Sequence, residues 1–426
     1  MGIVKMTDAA PRSKLGKNFF LNALDGISFL TGMIFLSPES VLPVYIERLG
    51  GSPFMLSLIP VLRNMGVFFP SIFVARYIQT LRYKKPYILI TGAFQRVPWL
   101  LAALMGLAFG AESPGLVIFS LMLALFITQA TTGIAVPAFF DLTAKTIPIT
   151  LRGRLFAVRN LGSYLIGLAC GGIIIRIMNS VPFPHNFPLL MIIGFCFLMI
   201  YLPSLGFYSE PPSRRVRFST ETLGSFLLGL RQIPRKNRDF GRYILGRVFY
   251  TLAFTSYSYF AVHLVRRFSL HESEVGLFTI ITAATFIIAN PLLGELADRK
   301  GHLFNHLIGA LSLIIGNLAA LFAGSYSLAL ISIAAGALTL CINNVSQFAI
   351  VIEFGQDFEI PVYIGIVGLA VGTSSLVIIF LGYLSAIFGL GVIFWFSLAA
   401  SVLSLGIFST VTEPRQHRPP TVVDAR

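Results

Sequence analysis

Twelve long apolar stretches constrain what this chain can fold into more than any other feature of its sequence. Each approaches or exceeds the ~20 residues that an α-helix needs to cross a bilayer, and each is continuous, as in membrane helices, rather than alternating, as in barrel strands. Only 12% of the residues are charged, about half the share of a soluble domain, so the chain lacks the polar surface to face water. We therefore predict an all-α polytopic membrane protein with twelve transmembrane helices. The spans are 18–46, 53–80, 86–110, 115–140, 155–178, 187–207, 240–264, 273–293, 303–323, 327–350, 361–386 and 388–411.

The longest polar connection, residues 208–239, divides the twelve spans into two sets of six. Each half closes its fourth span with an acid, Asp141 in the first half and Glu353 in the second, and a turn that contains proline follows. The pattern predicts an N-terminal six-helix bundle at 1–207, a cytoplasmic linker, and a C-terminal six-helix bundle with a short tail at 240–426. Two related bundles are typical of alternating access around a cavity between them.

The positive charge of the chain indicates its orientation. Most of the 32 Lys and Arg residues lie before the first span, after the last span, or in the connections that follow every second span. Cytoplasmic connections of membrane proteins carry this excess. We predict a multi-pass protein of the plasma (or bacterial inner) membrane with both termini in the cytoplasm. The net charge of +14 then reflects orientation and attraction to anionic lipid, and binding to nucleic acid is not expected.

Signatures of enzymes and of primary pumps are absent from the sequence. There is no G-x-x-x-x-G-K-[ST] loop for ATP, no H-E-x-x-H metal motif and no nucleophile elbow. Cys170, Cys196 and Cys341 lie in apolar runs without a C-x-x-C pair, so neither a disulfide framework nor a zinc site is indicated. We expect no catalytic residues, no metal and no cofactor.

A short charged segment between spans 8 and 9 carries the most specific pattern in the chain. It begins at Gly294 and reads Gly-Glu-Leu-Ala-Asp-Arg-Lys-Gly-His. Gly294 and Gly301 allow a tight turn between two helices, and Asp298 can face a helix N-terminus. Arg299 can meet an acid, for which Glu353 is the natural candidate. Such a cluster would latch the cytoplasmic face in one state and release it in the other, whereas the alternative is an ordinary charged turn.

In this segment the chain resembles the major facilitator superfamily, whose signature G-x-L-A-D-R-x-G-R-K/R lies between its eighth and ninth helices. The resemblance implies that superfamily's fold, with two pseudo-symmetric six-helix bundles, and secondary transport of a small molecule by alternating access. His302 departs from the basic residue of the signature. The corresponding segment of the first half lacks the acid of the signature, and Asp141 is the gate acid there. Its possible partners are the bases Arg82, Lys84 and Arg152.

The glycine-rich fifth span bears on the direction of transport. Drug–proton antiporters of the superfamily carry a glycine-rich stretch there that contains Gly-Pro. This chain has Gly167, Gly171 and Gly172, but Leu168 stands where proline is expected. We expect ion-coupled efflux of a small organic compound by a monomer, although close helix packing explains the glycines equally well. Two alternatives stay open: uptake or exchange of a metabolite such as an organic anion or a sugar, and a scaffold or sensor on a transporter fold.

Four charged residues stand out at membrane depth, where a charge costs roughly 2.5–3.5 kcal/mol and is a candidate functional group by default. They are Asp25, Arg63, Arg96 and Arg247, in spans 1, 2, 3 and 7. One interpretation is a structural ion pair of Asp25 with Arg63 or Arg96. The other is functional, with Asp25 accepting protons or the arginines binding an anion. The excess of base over acid favours an anionic or hydrogen-bond-accepting substrate.

The resemblance also implies a cavity lined mainly by the first and fourth helices of each half. Polar residues on these spans are therefore expected to contact substrate or ion, and residues three or four apart share a helix face. Besides Arg63 and Arg96, the expected site consists of Asn22 and Asp25 on span 1, Gln129 on span 4, Arg247 and Tyr250 on span 7, and Asn343, Asn344 and Gln347 on span 10. Hydrogen bonding between helices is the alternative role for each of them.

Overall fold

The structure is a computed structural model that describes residues 12–212, 237–354 and 360–414. In these residues the chain forms sixteen α-helices and no strand. The helices are α1 (Arg12–Ile34), α2 (Val41–Arg48), α3 (Pro53–Thr80), α4 (Lys85–Phe109), α5 (Pro114–Thr146), α6 (Ile149–Ser180), α7 (Asn186–Met199), α8 (Tyr201–Gly206), α9 (Arg238–Phe254), α10 (Tyr257–Arg267), α11 (Glu274–Lys300), α12 (His302–Phe322), α13 (Tyr326–Phe354), α14 (Ile360–Ser374), α15 (Leu376–Phe388) and α16 (Gly391–Phe408). Most of the linker and of the C-terminal tail lies outside the described residues, so the domain boundaries stay a prediction.

The helices follow the predicted spans, four of which are each formed by two helices. Within the described residues, ten segments are long and apolar enough to cross a membrane. Helices α1 and α3 stand where spans 1 and 2 were expected, which is consistent with twelve crossings. Span 1 breaks after Ile34, because Pro38 disfavours the helical conformation at Ser37. Spans 6, 7 and 11 are formed by α7 with α8, α9 with α10, and α14 with α15.

Large apolar side chains are exposed around the outside of the helices. Leu101, Phe119 and Phe322, for example, each expose more than half of their surface. A contiguous apolar exterior of this kind is not tolerated in water and requires lipid. The prediction of a membrane protein is confirmed.

The helices pack into two bundles, α1–α8 and α9–α16. In the first bundle α3 and α4 pack on α5, and α1 packs on α6 and α7. In the second bundle α13 packs on α12 and α11, and α9 packs on α16. The bundles meet where α6 packs against α11, α3 against α14 and α15, and α2 against α10. The predicted fold class, an all-α membrane protein, is confirmed, and the two bundles are consistent with the predicted six spans in each half.

The contact between α6 and α11 depends on small residues. A Cβ atom at Gly171 would lie 2.7 Å from the carbonyl oxygen of Gly276, and one at Gly276 would lie 2.5 Å from that of Gly171. Gly167 faces Ala283 across the same contact. The backbones can approach this closely only because side chains are absent. Packing between the bundles therefore accounts for these glycines of span 5.

Candidate transport site and gates

The two ends of the molecule carry different parts of the chain. We call the end at which α1 begins and α16 ends the terminal face, and the end at which α4 ends and α5 begins the opposite face. The charge distribution of the sequence predicts that the terminal face lies in the cytoplasm.

A buried carboxylate lies between two guanidinium groups in the first bundle. Asp25, on α1, is 7% exposed. Its Oδ1 atom lies 3.8 Å from Nη2 of Arg96 on α4, and its Oδ2 atom lies 3.9 Å from Nη2 of Arg159 on α6. These distances make ion pairs but not hydrogen bonds, and Oδ1 has no hydrogen-bond partner among the described residues. Of the two expected partners of Asp25, the structure shows Arg96.

Arg96 is fixed by the first bundle as well as by Asp25. Its Nε atom donates to the carbonyl oxygen of Leu198 at 3.0 Å, and its Nη1 atom donates to Oε1 of Gln95 at 2.9 Å. The guanidinium also lies over the ring of Tyr201, 4.0 Å from the centroid. A cation that is held on every side in this way has a defined position at membrane depth.

Arg159 is a member of this cluster that sequence reasoning missed, because it was counted among the bases that signal orientation. Its Nη1 atom donates to the side-chain oxygen of Asn22 and, at 3.3 Å, to the Asn22 carbonyl. A Cβ at Gly26 would overlap Arg159, so the glycine makes room for the guanidinium. Asn22 in turn donates to Oγ1 of Thr143 on α5, at 3.2 Å. The signal was available, since Arg159 lies inside the predicted span 155–178, four residues after its start.

Arg63, the other partner considered for Asp25, takes no part in this cluster. Arg63, on α3, bonds instead to Oε1 of Glu39, which lies between α1 and α2. Oγ of Ser37 donates to the other carboxylate oxygen of Glu39 at 3.3 Å. The guanidinium also lies 5.6 Å from the ring centroid of Phe254 in the second bundle. Glu39 falls within predicted span 1, so its carboxylate was a second acid at membrane depth that sequence reasoning overlooked.

The polar residues expected on spans 7 and 10 do come together. Nη1 of Arg247 on α9 donates to Oδ1 of Asn343, and Nη2 donates to Oε1 of Gln347, both at 2.8 Å. The ring of Tyr250 packs beneath the guanidinium at 5.0 Å. Arg247 is 4% exposed, and no hydrogen-bond partner of its Nε atom lies in the described part of the chain. The cluster ties α9 to α13 through neutral amide oxygens.

Two further predicted site residues lie apart from these clusters. Gln129, on α5, is half-buried and packs against Gly66 of α3, where an added Cβ would lie 2.7 Å from the Gln129 Cβ. Asn344, on α13, is exposed, and its side chain reaches Tyr164 of the first bundle. Asn344 therefore lies at the contact between bundles, whereas its neighbour Asn343 lies inside the second bundle.

A small cavity lies between the bundles. Its volume is about 40 Å³, enough for water but too small for an organic solute. Hydroxyl groups provide most of its polar lining. The lining residues are Ile34, Ser37, Ser40, Tyr164, Thr279, Thr282 and Ala283.

Ion pairs join the two bundles at the opposite face. Nε of Arg266 at the end of α10 lies 2.6 Å from Oε1 of Glu47 on α2. Nε of the adjacent Arg48 lies 3.4 Å from Oε2 of Glu272 in the second bundle. We call these four residues the opposite-face clasp. Sequence reasoning placed its gate at the other end of the molecule and did not identify the clasp.

At the terminal face of the first bundle, Asp141 lies between two lysines. Its Oδ2 atom is 3.4 Å from Nζ of Lys84 and 3.4 Å from Nζ of Lys145. Burial, and next the charge on Lys145, lower the pKa of Lys84 below its ordinary value, while Asp141 opposes the shift. Of the three partners considered for Asp141, the structure shows Lys84. Arg152 instead donates to the carbonyl oxygen of Ile147 at 3.0 Å, near the end of α5.

At the terminal face of the second bundle, the expected pairing of Arg299 with Glu353 was wrong. Arg299 pairs with Glu295 one helical turn earlier, at 2.5 Å. Glu353 lies 3.8 Å from Nε2 of His302, the residue that departs from the signature. Arg299 is exposed at the end of α11, so the i,i+4 partner on its own helix is the nearer acid.

The glycines and Asp298 of this segment have distinct places. Gly301 has φ +94° and forms the sharp turn between α11 and α12, a conformation that favours glycine. Gly294 was also expected in the turn, but it lies inside α11, where an added Cβ would meet nothing within 4 Å. Asp298 lies in the last turn of α11. The turn therefore depends on Gly301 alone.

Each bundle binds a glutamate that follows its last helix. Glu210 accepts hydrogen bonds from the backbone N–H groups of Lys84 and Lys85, at 2.7 and 2.8 Å, where α4 begins. Glu413 accepts one from the N–H of Leu303, at 3.2 Å, where α12 begins. Free N–H groups at a helix start favour an anion. The signal was a repeated Glu-Pro dipeptide after the sixth and twelfth spans, which sequence reasoning did not use.

The C-terminal half of the chain matches a family model, described as Major Facilitator Superfamily, over residues 243–425. No curated protein sequence matches the chain. Solved transporter structures have the same fold. A D-xylose–proton symporter is 17% identical with a TM-score of 0.69, covering 95% of this chain and 100% of its own. A mutant of the nucleoside transporter NupG is 12% identical with a TM-score of 0.67, covering 92% and 99%. A POT family transporter in complex with a thioalcohol-conjugated peptide is 15% identical with a TM-score of 0.65, covering 95% and 96%.

Proposed function

We propose, on the premise that this chain is a secondary transporter of the major facilitator kind, that it exports a small organic solute by alternating access, coupled to an ion gradient. The observation that carries the proposal is where the bundles touch. Among the described residues, the two ion pairs of the opposite-face clasp join the bundles, and nearer mid-depth Asn64 donates a hydrogen bond to Ser375. Two bundles joined by ion pairs at one face suit alternating access, in which such pairs form in one state and break in the other.

The orientation that we propose places the terminal face in the cytoplasm of a cell whose plasma or inner membrane holds the protein. Its support is the concentration of Lys and Arg at that face. In this orientation the clasp closes the outside, and a solute would enter from the cytoplasm. Both bundles come from one chain, so we propose that a monomer is the transporting unit.

The carboxylate of Asp25 is the group that we propose carries the coupling ion, with the proton as the first candidate. It is buried in the first bundle, and one of its oxygens has no hydrogen-bond partner in the described ranges of the chain. Asp25→Asn should abolish gradient-driven transport, whereas Asp239→Asn, at the start of α9, is a matched control that should not. Transport in the Asp25 variant with the pH dependence of the wild type would refute this role.

The test of direction uses membrane vesicles of both orientations and labelled solutes chosen by their stabilisation of the purified protein. Export predicts accumulation in inside-out vesicles with an acidic interior. Accumulation in right-side-out vesicles would instead establish uptake. A scaffold or sensor would show no flux of any stabilising solute under any gradient.

Uptake or exchange of an organic anion is the second candidate, and one observation favours it. At membrane depth the described residues hold four arginines but two carboxylates. The arginines are Arg63, Arg96, Arg159 and Arg247, and the acids are Asp25 and Glu39. Exchange predicts that efflux of preloaded solute is accelerated by the same solute outside, without any ion gradient.

A further inference from the structure

One arginine at membrane depth is held without a counter-charge. Arg63 pairs with Glu39, and Arg96 and Arg159 both pair with Asp25. Within the described part of the chain, no carboxylate lies within ion-pair distance of Arg247, whose partners are the amide oxygens of Asn343 and Gln347. A guanidinium remains charged in proteins. The second bundle therefore contains a buried cation that neutral groups solvate incompletely.

The hydrogen bonds of this guanidinium leave binding capacity unused. It has five N–H donors, and its buried Nε atom has no partner within the residues that the structure describes. Burying an ion without a counter-ion is unfavourable. If Arg247 only linked two helices, an uncharged residue, or an arginine with a carboxylate partner, would do so at a lower cost in free energy. An anionic group of the solute would supply the missing negative charge and accept the unused N–H donors.

The surrounding groups suit a planar oxyanion. A guanidinium matches the geometry of carboxylate and phosphate and can bind either through two parallel hydrogen bonds. Asn343 and Gln347 lie one turn apart on α13, and each amide also carries an NH₂ donor. Gln347 is half-buried, whereas Arg247 and Asn343 are buried, so an anion would approach past Gln347.

We propose that Arg247, Asn343 and Gln347 bind an oxyanion, the carboxylate or phosphate group of the transported solute. This proposal rests on the proposed transport function. The anion displaces the two amide oxygens from the guanidinium, and the amides then donate to it. In the structure both amide oxygens accept hydrogen bonds from the guanidinium, which is the state before an anion binds.

The experiment measures thermal stabilisation of the purified full-length protein by matched pairs of compounds: carboxylic acids with their primary amides, and sugar phosphates with their parent sugars. Binding to the folded state raises apparent stability. The anionic members should stabilise the protein and the neutral members should not. The carboxylate and phosphate arms distinguish the two sources of the oxyanion.

Two variants locate the binding. Arg247→Gln should weaken anion binding roughly 10- to 100-fold, the effect of one or more lost charge-assisted hydrogen bonds, while Arg176→Gln on the exposed surface of α6 should not. Gln347→Glu is nearly isosteric and places a carboxylate beside Arg247, so it should fold well and also lose the stabilisation by anions. It answers the question even where the arginine variant does not fold.

The proposal is overturned if only neutral compounds stabilise the protein, or if anions stabilise Gln347→Glu as well as the wild type. In either case a neutral solute that is still transported leaves the transport function standing. If no stabilising compound of either kind is transported, the transport function fails, and this site fails with it.

Discussion

Asp25→Asn tests whether one carboxylate holds two buried guanidinium groups in place. The two ion pairs measure 3.8 Å and 3.9 Å. At an effective dielectric constant of about 20, each pair contributes about 4 kcal/mol of Coulomb attraction before desolvation is counted. Removing one partner of a buried pair costs about 3–5 kcal/mol, because an uncompensated charge stays buried. Neither contact is a hydrogen bond, so we expect the lower end, about 3 kcal/mol.

A comparison with Arg159→Gln makes this prediction specific. Removing Arg159 leaves Asp25 paired with Arg96, so the single arginine variant should lose less stability than Asp25→Asn. The double variant should lose less than the sum of the two single losses, because the residues share one interaction. Thermal unfolding in detergent at a fixed scan rate measures both effects. About 3 kcal/mol corresponds to a drop in Tm of roughly 6–12 °C for a domain of this size.

The reasoning is refuted if Asp25→Asn melts within about 2 °C of the wild type. It is refuted equally if the losses of the two single variants simply add in the double variant. Asp239→Asn serves as the control, since its side chain is partly exposed and its ion pair with Arg242 lies at the surface. Surface pairs of this kind contribute about 0–1 kcal/mol.

Four further predictions concern the gates and the interface. Arg266→Gln removes one arm of the clasp and should raise the rate at which a thiol reagent labels a cysteine introduced on the opposite face by about 2- to 5-fold, as expected for a partly exposed pair; an unchanged rate would argue against a gate there. Glu210→Gln should lower the free energy of unfolding by about 1–3 kcal/mol, seen as a lower Tm, because the part-buried N–H groups at the start of α4 lose a charged acceptor. Gly171→Leu should reduce transport and stability together, since its side chain would force α6 from α11; normal flux contradicts the packing argument. Asp298→Asn should slow the conformational cycle while leaving solute affinity unchanged, and a large loss of affinity at normal opening rates would contradict a latch.

The sequence predicted the membrane segments well because each one is long and its apolar residues are continuous. The breaks within spans are harder to predict. Pro38 explains the break in span 1, but the break between α9 and α10 occurs at Thr255 and Ser256, where no proline stands. Such breaks depend on packing with other helices, which a single segment does not reveal.

The pairing of charges could be predicted only in part. Depth along a helix brought Asp25 and Arg96 together correctly, because both lie at similar heights in one bundle. Depth alone could not exclude Arg63, since which face of α3 points inward depends on the whole bundle. Arg299 was assigned to Glu353, the acid that closes the fourth span of its half, whereas an acid on its own helix is closer. Local competition of this kind decides between partners that spacing leaves equivalent.

The glutamates that follow the last helix of each bundle have a consequence for how the chain is assembled. Glu210 ties the end of the first bundle back to its own α4, and Glu413 ties the end of the second to its own α12. The contact that holds the end of each bundle therefore lies within that bundle and does not require the other bundle to be folded. The chain should therefore tolerate a cut between residues 213 and 236, and two separately expressed halves should find each other in the membrane and form one working protein.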